Sequence, residues 1–309
     1  MRFKLFLVCL ISLGLWGCTK TITLTPPAFV REPVVAALLS PDSTLQVTLT
    51  YSYPTTATDV TPTPIRNAQV FIADNGQRLA PLAEQQPGVY RLNYHPQPGH
   101  VYALTAITPE GKTLTAQDRM PVASVLSVTL TGPNAGNVNN NPDIILQTQP
   151  LPANEAVQWL SVYMRTESFS TRQLTTTIEG IQSNSLLLDE FNSNLSGFNY
   201  KRSYWPYARI TPIVADNLTH PTITFNTGNQ VANLKKPGDR YQLTIWTGSP
   251  AFDRYLRSVI TAYQNRLSDG GGIGDNPFAQ PSPVAGNVSG GQGVFAAYVT
   301  QVVVLKEVN

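Results

Sequence analysis

The chain has 309 residues, 21 basic and 19 acidic side chains, and a formal net charge of +2. Charged residues are only 13% of it, about half the usual share, and the basic excess on which nonspecific nucleic-acid binding rests is missing. Its two cysteines, Cys9 and Cys18, both lie at the start, so the rest of the chain has no thiol for a disulfide, a nucleophile or a zinc thiolate site.

The first twenty residues read MRFKLFLVCLISLGLWGCTK. Arg2 and Lys4 precede an apolar run of about a dozen residues. That is too short for the roughly 20 that a membrane-spanning helix needs, and it has the form of a secretory leader. Leu15-Trp16-Gly17-Cys18 resembles a bacterial lipobox, in which the cysteine is lipidated and becomes the first mature residue. Cys18 is therefore the expected lipidation site, carrying acyl chains such as palmitate. Each buried methylene is worth about 0.8 kcal/mol, and several chains on one sulfur make release negligible. Cleavage removes Arg2 and Lys4 and leaves 19 of the 21 basic residues against 19 acidic ones, a neutral mature chain.

Thr19–Arg31 reads as a tether that reaches about 40 Å when extended. Short alternating strands follow. They are Val34–Leu39 and Leu45–Tyr53 across SPDST, then Ala68–Ala73 ending in the turn Asp74-Asn75-Gly76; Asn-Gly suits a tight hairpin. Gly88–Tyr94, Val101–Thr108 and Lys112–Gln117 complete a block with turns every ~8–12 residues, the pattern of an immunoglobulin-like sandwich. Val125–Leu130, Asp143–Gln149, Glu155–Thr166 and Tyr241–Trp246 are further strands. Ser249-Pro250 supplies an N-cap and a proline at the first helical position. Phe252, Tyr255, Leu256, Val259, Ile260, Tyr263 and Leu267 then recur at helical spacing, predicting an amphipathic helix over about 250–268. DGGGIGDNPFAQPSP cannot be regular, and Gly293–Val308 is a closing strand. The predicted fold is mostly β: two β-sandwich domains, the first immunoglobulin-like and the second carrying one helix. The predicted divisions are 1–17 signal peptide, 18–31 lipidated tether, 32–122 first sandwich and 123–309 second β domain.

The segments CTKTITL, PVVAALL, AQVFIADNGQ, PGVYRLNY, PGHVYALTAITPEGKTLTAQDRMP, FDRYLRSV and NPFAQPSPVAGNVSGGQGVFAAYVTQ together resemble a family of Bacteroidota lipoproteins, domain of unknown function forty-two forty-nine. The likeness covers nearly the whole mature chain and is most specific at the C-terminus. It implies an exported lipoprotein encoded near TonB-dependent receptors, hence an accessory role in nutrient uptake at the outer membrane. No reaction comes with the family, so it assigns no catalytic residue. Surface lipoproteins of this phylum often carry acids soon after the lipidated cysteine. Thr19-Lys20-Thr21-Ile22-Thr23 has none, which leaves the periplasmic and the cell-surface face both open.

Candidate chemistry is sparse. His95 and His100 bracket HPQPGH, but no third metal ligand is near in sequence, and His220 reads as a loop residue. GNVSGG lacks the glycine two before the serine that a nucleophile elbow needs, and its glycines suit a tight turn. GGGIG fails the dinucleotide spacing, and Asp269 and Asp275 beside it lack calcium-loop spacing. Asp189-Glu190 is the one adjacent acidic pair considered for glycosidase chemistry, which is defined in space rather than sequence. The most suggestive stretch is NYKRSYWPYARI, where Tyr200, Tyr204, Trp205 and Tyr207 mingle with Lys201, Arg202 and Arg209. These aromatics are the candidate ligand or partner contacts, since tyrosine and tryptophan favour interfaces; the plainer reading is a strand edge whose aromatics fill a core. The expectation is a noncatalytic, membrane-anchored protein without cofactor, metal or nucleic-acid partner, contacting an unknown ligand or a TonB-dependent receptor. A structural or adhesin-type lipoprotein is the alternative, and a cryptic hydrolase the third.

Overall fold

The computed structural model describes residues 28–54, 61–133, 142–149, 154–167, 174–179, 187–189, 191–192, 201–202, 207–210, 222–225, 234, 236–264 and 283–308. Eight strands come first: β1 (Pro33–Leu39), β2 (Leu45–Tyr51), β3 (Gln69–Asp74), β4 (Gln77–Arg78), β5 (Ala83–Gln86), β6 (Val89–Leu92), β7 (Val101–Ile107) and β8 (Thr113–Arg119). One sheet has the order β1-β2-β6-β5 and the other β4-β3-β7-β8. That is the A-B-E-D and C′-C-F-G arrangement of an immunoglobulin-like sandwich, as the alternation predicts. The inward positions Val35, Leu45, Val47, Leu49, Val70, Ile72, Leu104 and Leu114 form one buried cluster. Asn75 and Gly76 both adopt positive φ, as a two-residue turn between β3 and β4 demands.

Two buried tyrosines tie loops to this core. Tyr90 Oη donates to the Ile65 carbonyl at 2.8 Å and accepts the Ala68 N–H at 2.9 Å. Tyr102, near the start of β7, accepts the Gln97 N–H at 2.7 Å. This is the tyrosine-corner device of such sandwiches, a ring in the core whose hydroxyl clamps backbone a few residues upstream.

The second region contains β9 (Val125–Pro133), β10 (Pro142–Thr148), β11 (Val157–Glu167), β12 (Leu174–Glu179), β13 (Leu188–Asp189), β14 (Phe191–Asn192), β15 (Lys201–Arg202), β16 (Ala208–Ile210), β17 (Thr222–Phe225), β18 (Arg240–Gly248), helix α1 (Pro250–Gln264) and β19 (Gln292–Glu307). A three-stranded sheet, β17-β10-β9, shares a buried cluster with β13-β16-β11-β18. The two layers meet through Ile144, Leu146 and Ile223 on one side and Leu160, Val162, Leu243 and Ile245 on the other. The chain is thus mostly β, with several sheets and one described helix.

β19 joins the two regions. Its first six residues pair in parallel with β1, from Val34↔Gln292 to Leu39↔Ala297. From Tyr298 onward it pairs antiparallel with β18, from Gly248↔Tyr298 to Arg240↔Glu307. One sheet therefore runs β13-β16-β11-β18-β19-β1-β2-β6-β5. The sequence places the closing strand in 123–309; its second half pairs there with β18, while Phe295 and Ala297 of its first half lie in the core of the first sandwich. A terminal strand alternates in the same way whichever sheet receives it, so its pattern does not name the neighbour.

Candidate functional site: a groove at the seam

The groove is shaped by the segment leading into β19. Ser289 exchanges backbone hydrogen bonds with Thr115 of β8 at 2.8 and 3.0 Å. Asn287 then uses its side-chain amide as a substitute strand neighbour. Its Oδ1 accepts the Phe295 N–H at 2.9 Å, and its Nδ2 donates to the Phe295 carbonyl at 2.8 Å. The glycines around it are dictated by space. At Gly293, with φ of 110°, a Cβ would lie 1.9 Å from the Val35 carbonyl oxygen. The GNVSGGQG segment is thus a tight turn pressed onto β1 and β8.

Beside this turn lies a half-open groove of about 690 Å³. Val34 and Ala36 of β1 and Gln292 and Val294 of β19 line it, with Tyr255 of α1 and Val284 across from them. Ser258 links helix to segment: its hydroxyl donates to the Tyr255 carbonyl at 2.7 Å and accepts the Ala285 N–H at 2.8 Å. Gln292 donates to Glu32 Oε2 at 2.8 Å. No carboxylate, imidazole or ammonium is among the described residues lining the groove.

Buried polar groups hold α1 against the groove. Ser249 is its N-cap, accepting the Phe252 N–H at 3.1 Å. The Ser249 hydroxyl donates to Asp118 Oδ2 of β8 at 2.5 Å, and the Ala297 N–H donates to the same oxygen at 2.7 Å. Burial pushes the Asp118 carboxyl up to about 6, although these donors favour its charge. One turn into the helix, Asp253 takes a two-pronged ion pair from Arg209 of β16, at 2.7 and 2.9 Å, and the Trp159 indole N–H at 2.9 Å. The third Arg209 contact is Asp189, at 2.9 Å. Burial works against the Arg209 charge, but hydrogen bonds and charge from Asp253, then Asp189, outweigh it and raise its pKa. Phe252 stacks on Tyr298 at 4.9 Å, which completes the helix contact.

A second polar knot lies where the link from β8 enters β9. Gln158 Nε2 donates to Ser124 Oγ at 2.6 Å, and Thr148 Oγ1 is 3.0 Å from both Gln158 Oε1 and the Ser124 carbonyl. Thr247, opposite Gln158 in the sheet, has a buried hydroxyl without a partner among the described residues.

Cys18, Tyr200, Tyr204 and Trp205 lie outside the described residues, as do Glu190, His220, Asp269, Asp275 and the GGGIG run. Tyr207 is described. It is half-buried, meets Trp246 edge-on at 5.5 Å, and burial raises its phenol pKa. Asp189 is occupied by Arg209. His95 and His100 have separate partners, the Pro41 carbonyl at 3.1 Å and Asp74 Oδ1 at 2.8 Å. Among the described residues no three His, Cys, Asp or Glu side chains converge to hold a metal ion. Sequence reasoning missed the Asp118 and Asp253 networks. The available signal was parity: Asp118 shares the inward face of β8 with Leu114 and Ala116, where an acid must find donors.

Residues 21–302 match the family described as a domain of unknown function, DUF4249, and the chain belongs to that family. No curated protein matches it.

Proposed function

We propose, with membership of that family as the premise, that this chain is a lipid-anchored, noncatalytic binding component accessory to TonB-dependent nutrient uptake at the outer membrane. Acyl chains on Cys18 hold it to the lipid, and Thr19–Arg31 spaces the first sandwich from the headgroups. The observation that carries binding over chemistry is the groove lining, which is apolar side chain and backbone with Gln292 and Tyr255 as its polar groups. Such a surface recognises shape and backbone rather than moving protons. Tyr200, Tyr204, Trp205 and Tyr207 remain candidate contacts for the same ligand or receptor.

The test has two steps. Cells fed labelled palmitate should yield a labelled chain that fractionates with membranes, and Cys18→Ala should abolish both. Mild detergent extraction should then recover a TonB-dependent receptor with the labelled chain at near-stoichiometric level. Acylation without any receptor would sink the uptake role and leave the anchor standing. A second reading, a structural or adhesin-type surface lipoprotein, draws support from the continuous sheet through β19, which makes the two regions a stiff spacer. A deletion strain with normal uptake and weakened adhesion would favour it.

A further inference from the structure

The outer face of the β4-β3-β7-β8 sheet has an unusual charge balance. Its outward positions are Gln69, Phe71 and Ala73 on β3, Val101, Ala103, Thr105 and Ile107 on β7, and Thr113, Thr115, Gln117 and Arg119 on β8. None is acidic. Glu110 in the adjoining turn is engaged by the Tyr51 hydroxyl at 2.5 Å, and Asp74, which follows Ala73 at the end of β3, is held by His100, Tyr94 and Tyr102. On this face lies a hollow of about 260 Å³, lined by Phe71, Ala73, Arg78, Ala103, Thr105 and Ile107. The Arg78 guanidinium lies over the Phe71 ring, with Cζ 3.4 Å from the ring centroid. Arg66, Arg209 and Arg240 each meet a carboxylate, whereas Arg78 forms no ion pair among the described residues.

We infer that this hollow is a binding site for an acidic sugar, whose carboxylate is taken by Arg78. The contact with Phe71 restrains the guanidinium, and its N–H groups have no ion-pair partner among the described residues. That pre-organisation is what a two-pronged hydrogen bond to a carboxylate requires. Ala73 and Ala103 stand opposite each other across β3 and β7 and form a flat floor of methyl groups that a pyranose ring can cover. Thr105 also lines the hollow, and its hydroxyl is the group there that can bond a ring hydroxyl. The volume suits one monosaccharide, below the roughly 300 Å³ where larger ligand pockets begin. The site goes beyond the anchored-binder reading and does not depend on Cys18 or on any receptor.

Ligand-observed NMR on the full chain in detergent, with glucuronate, glucose and trialanine as probes, tests it. Glucuronate should bind with a dissociation constant on the order of millimolar, near −4 kcal/mol, with glucose and trialanine at least tenfold weaker. Arg78→Gln should weaken glucuronate about tenfold, and Thr105→Val a few-fold. Arg91→Gln, the same charge change on the opposite sheet, should leave binding unchanged. If Arg78→Gln melts early, Arg78→Lys serves instead, keeping the charge and losing the fork, with weakening of a few-fold expected. Equal binding of glucose, equal binding of trialanine, no glucuronate binding, or loss of binding in Arg91→Gln would each overturn the site.

Discussion

In the first sandwich the inward positions are almost all apolar, and the hydroxyls of its buried tyrosines, Tyr90 and Tyr102, reach out to loop backbone. Around α1 the inward positions instead carry Asp118, Asp253 and Arg209, each bonded to groups distant in sequence. Apolar burial is non-directional and tolerates small errors of position. A buried ion pair is stabilising only with close geometry, and losing one partner strands the other. The sandwich should therefore resist polar substitutions at its loops, while the seam should fail sharply at a few positions.

The sharpest should be Gly293. A methyl there meets the Val35 carbonyl at 1.9 Å on a backbone with φ of 110°, and both β1 and β19 would have to move. Gly293→Ala should cost at least about 4 kcal/mol, in the range where folding fails outright. Gly76→Ala is the control: its φ is 83° and a Cβ there meets nothing within 4 Å, so only the left-handed backbone penalty of about 1–2 kcal/mol applies. Denaturant titration of both separates the readings; equal costs would mean that the close approach of the strands is not what holds the seam.

Arg209→Met comes next. It leaves the buried Asp253 with the Trp159 N–H as its one remaining side-chain donor among the described residues and should cost about 3–5 kcal/mol. Adding Asp253→Asn removes the stranded charge, keeps an acceptor for Trp159 and should recover part of the loss. A double variant no better than the single one would show that packing, rather than the stranded carboxylate, sets the cost.

Asp118 turns the contrast into a pH dependence. Its carboxyl titrates near 6 in the fold, against 3.8 for an unperturbed aspartate, so the folded state binds the proton more tightly. Stability from this group is fully present below about 3.8, and is lost as pH rises through 6. The span of about 2 pH units corresponds to roughly 3 kcal/mol at most. Glu84 opposes it: hydrogen bonds from the Asn67 and Gly88 N–H groups lower its pKa. The readout is therefore the difference between wild type and Asp118→Asn, with wild type gaining on the variant between pH 7 and 4. Parallel curves would remove Asp118 from the account.

Much of the first sandwich was legible because alternation reports which face a residue takes. Leu45, Val47 and Leu49 could be assigned together, and Asn75-Gly76 marked its turn by backbone chemistry alone. Ser249-Pro250 likewise announced α1. The pairing of β1 with β19 was not legible, since periodicity carries no information about a neighbour more than 250 residues away. For the same reason GNVSGG could be read as a turn, but not as one wall of a groove. The partnership of Arg209 with Asp253 crosses 44 residues and depends on the placement of β16 beside β11. The aromatic stretch stands out by composition, and its one described aromatic, Tyr207, packs on Trp246.

The smallest predicted effect bears on the comparison from the side of the sandwich. Tyr102→Phe keeps the buried ring and removes the acceptor for the Gln97 N–H. That bond is part-buried, so water can replace it, and the loss should be about 1 kcal/mol. Asp74 keeps Tyr94 and His100 as partners, which limits the damage at this end. Tyr90→Phe should cost more, because its hydroxyl serves Ile65 and Ala68 together and its bond to Ile65 is buried. Both should stay below Arg209→Met in the same denaturant series. A corner tyrosine that cost as much as the arginine would mean that the sandwich, too, depends on a few irreplaceable polar contacts, and the proposed difference in how the two regions are held would collapse.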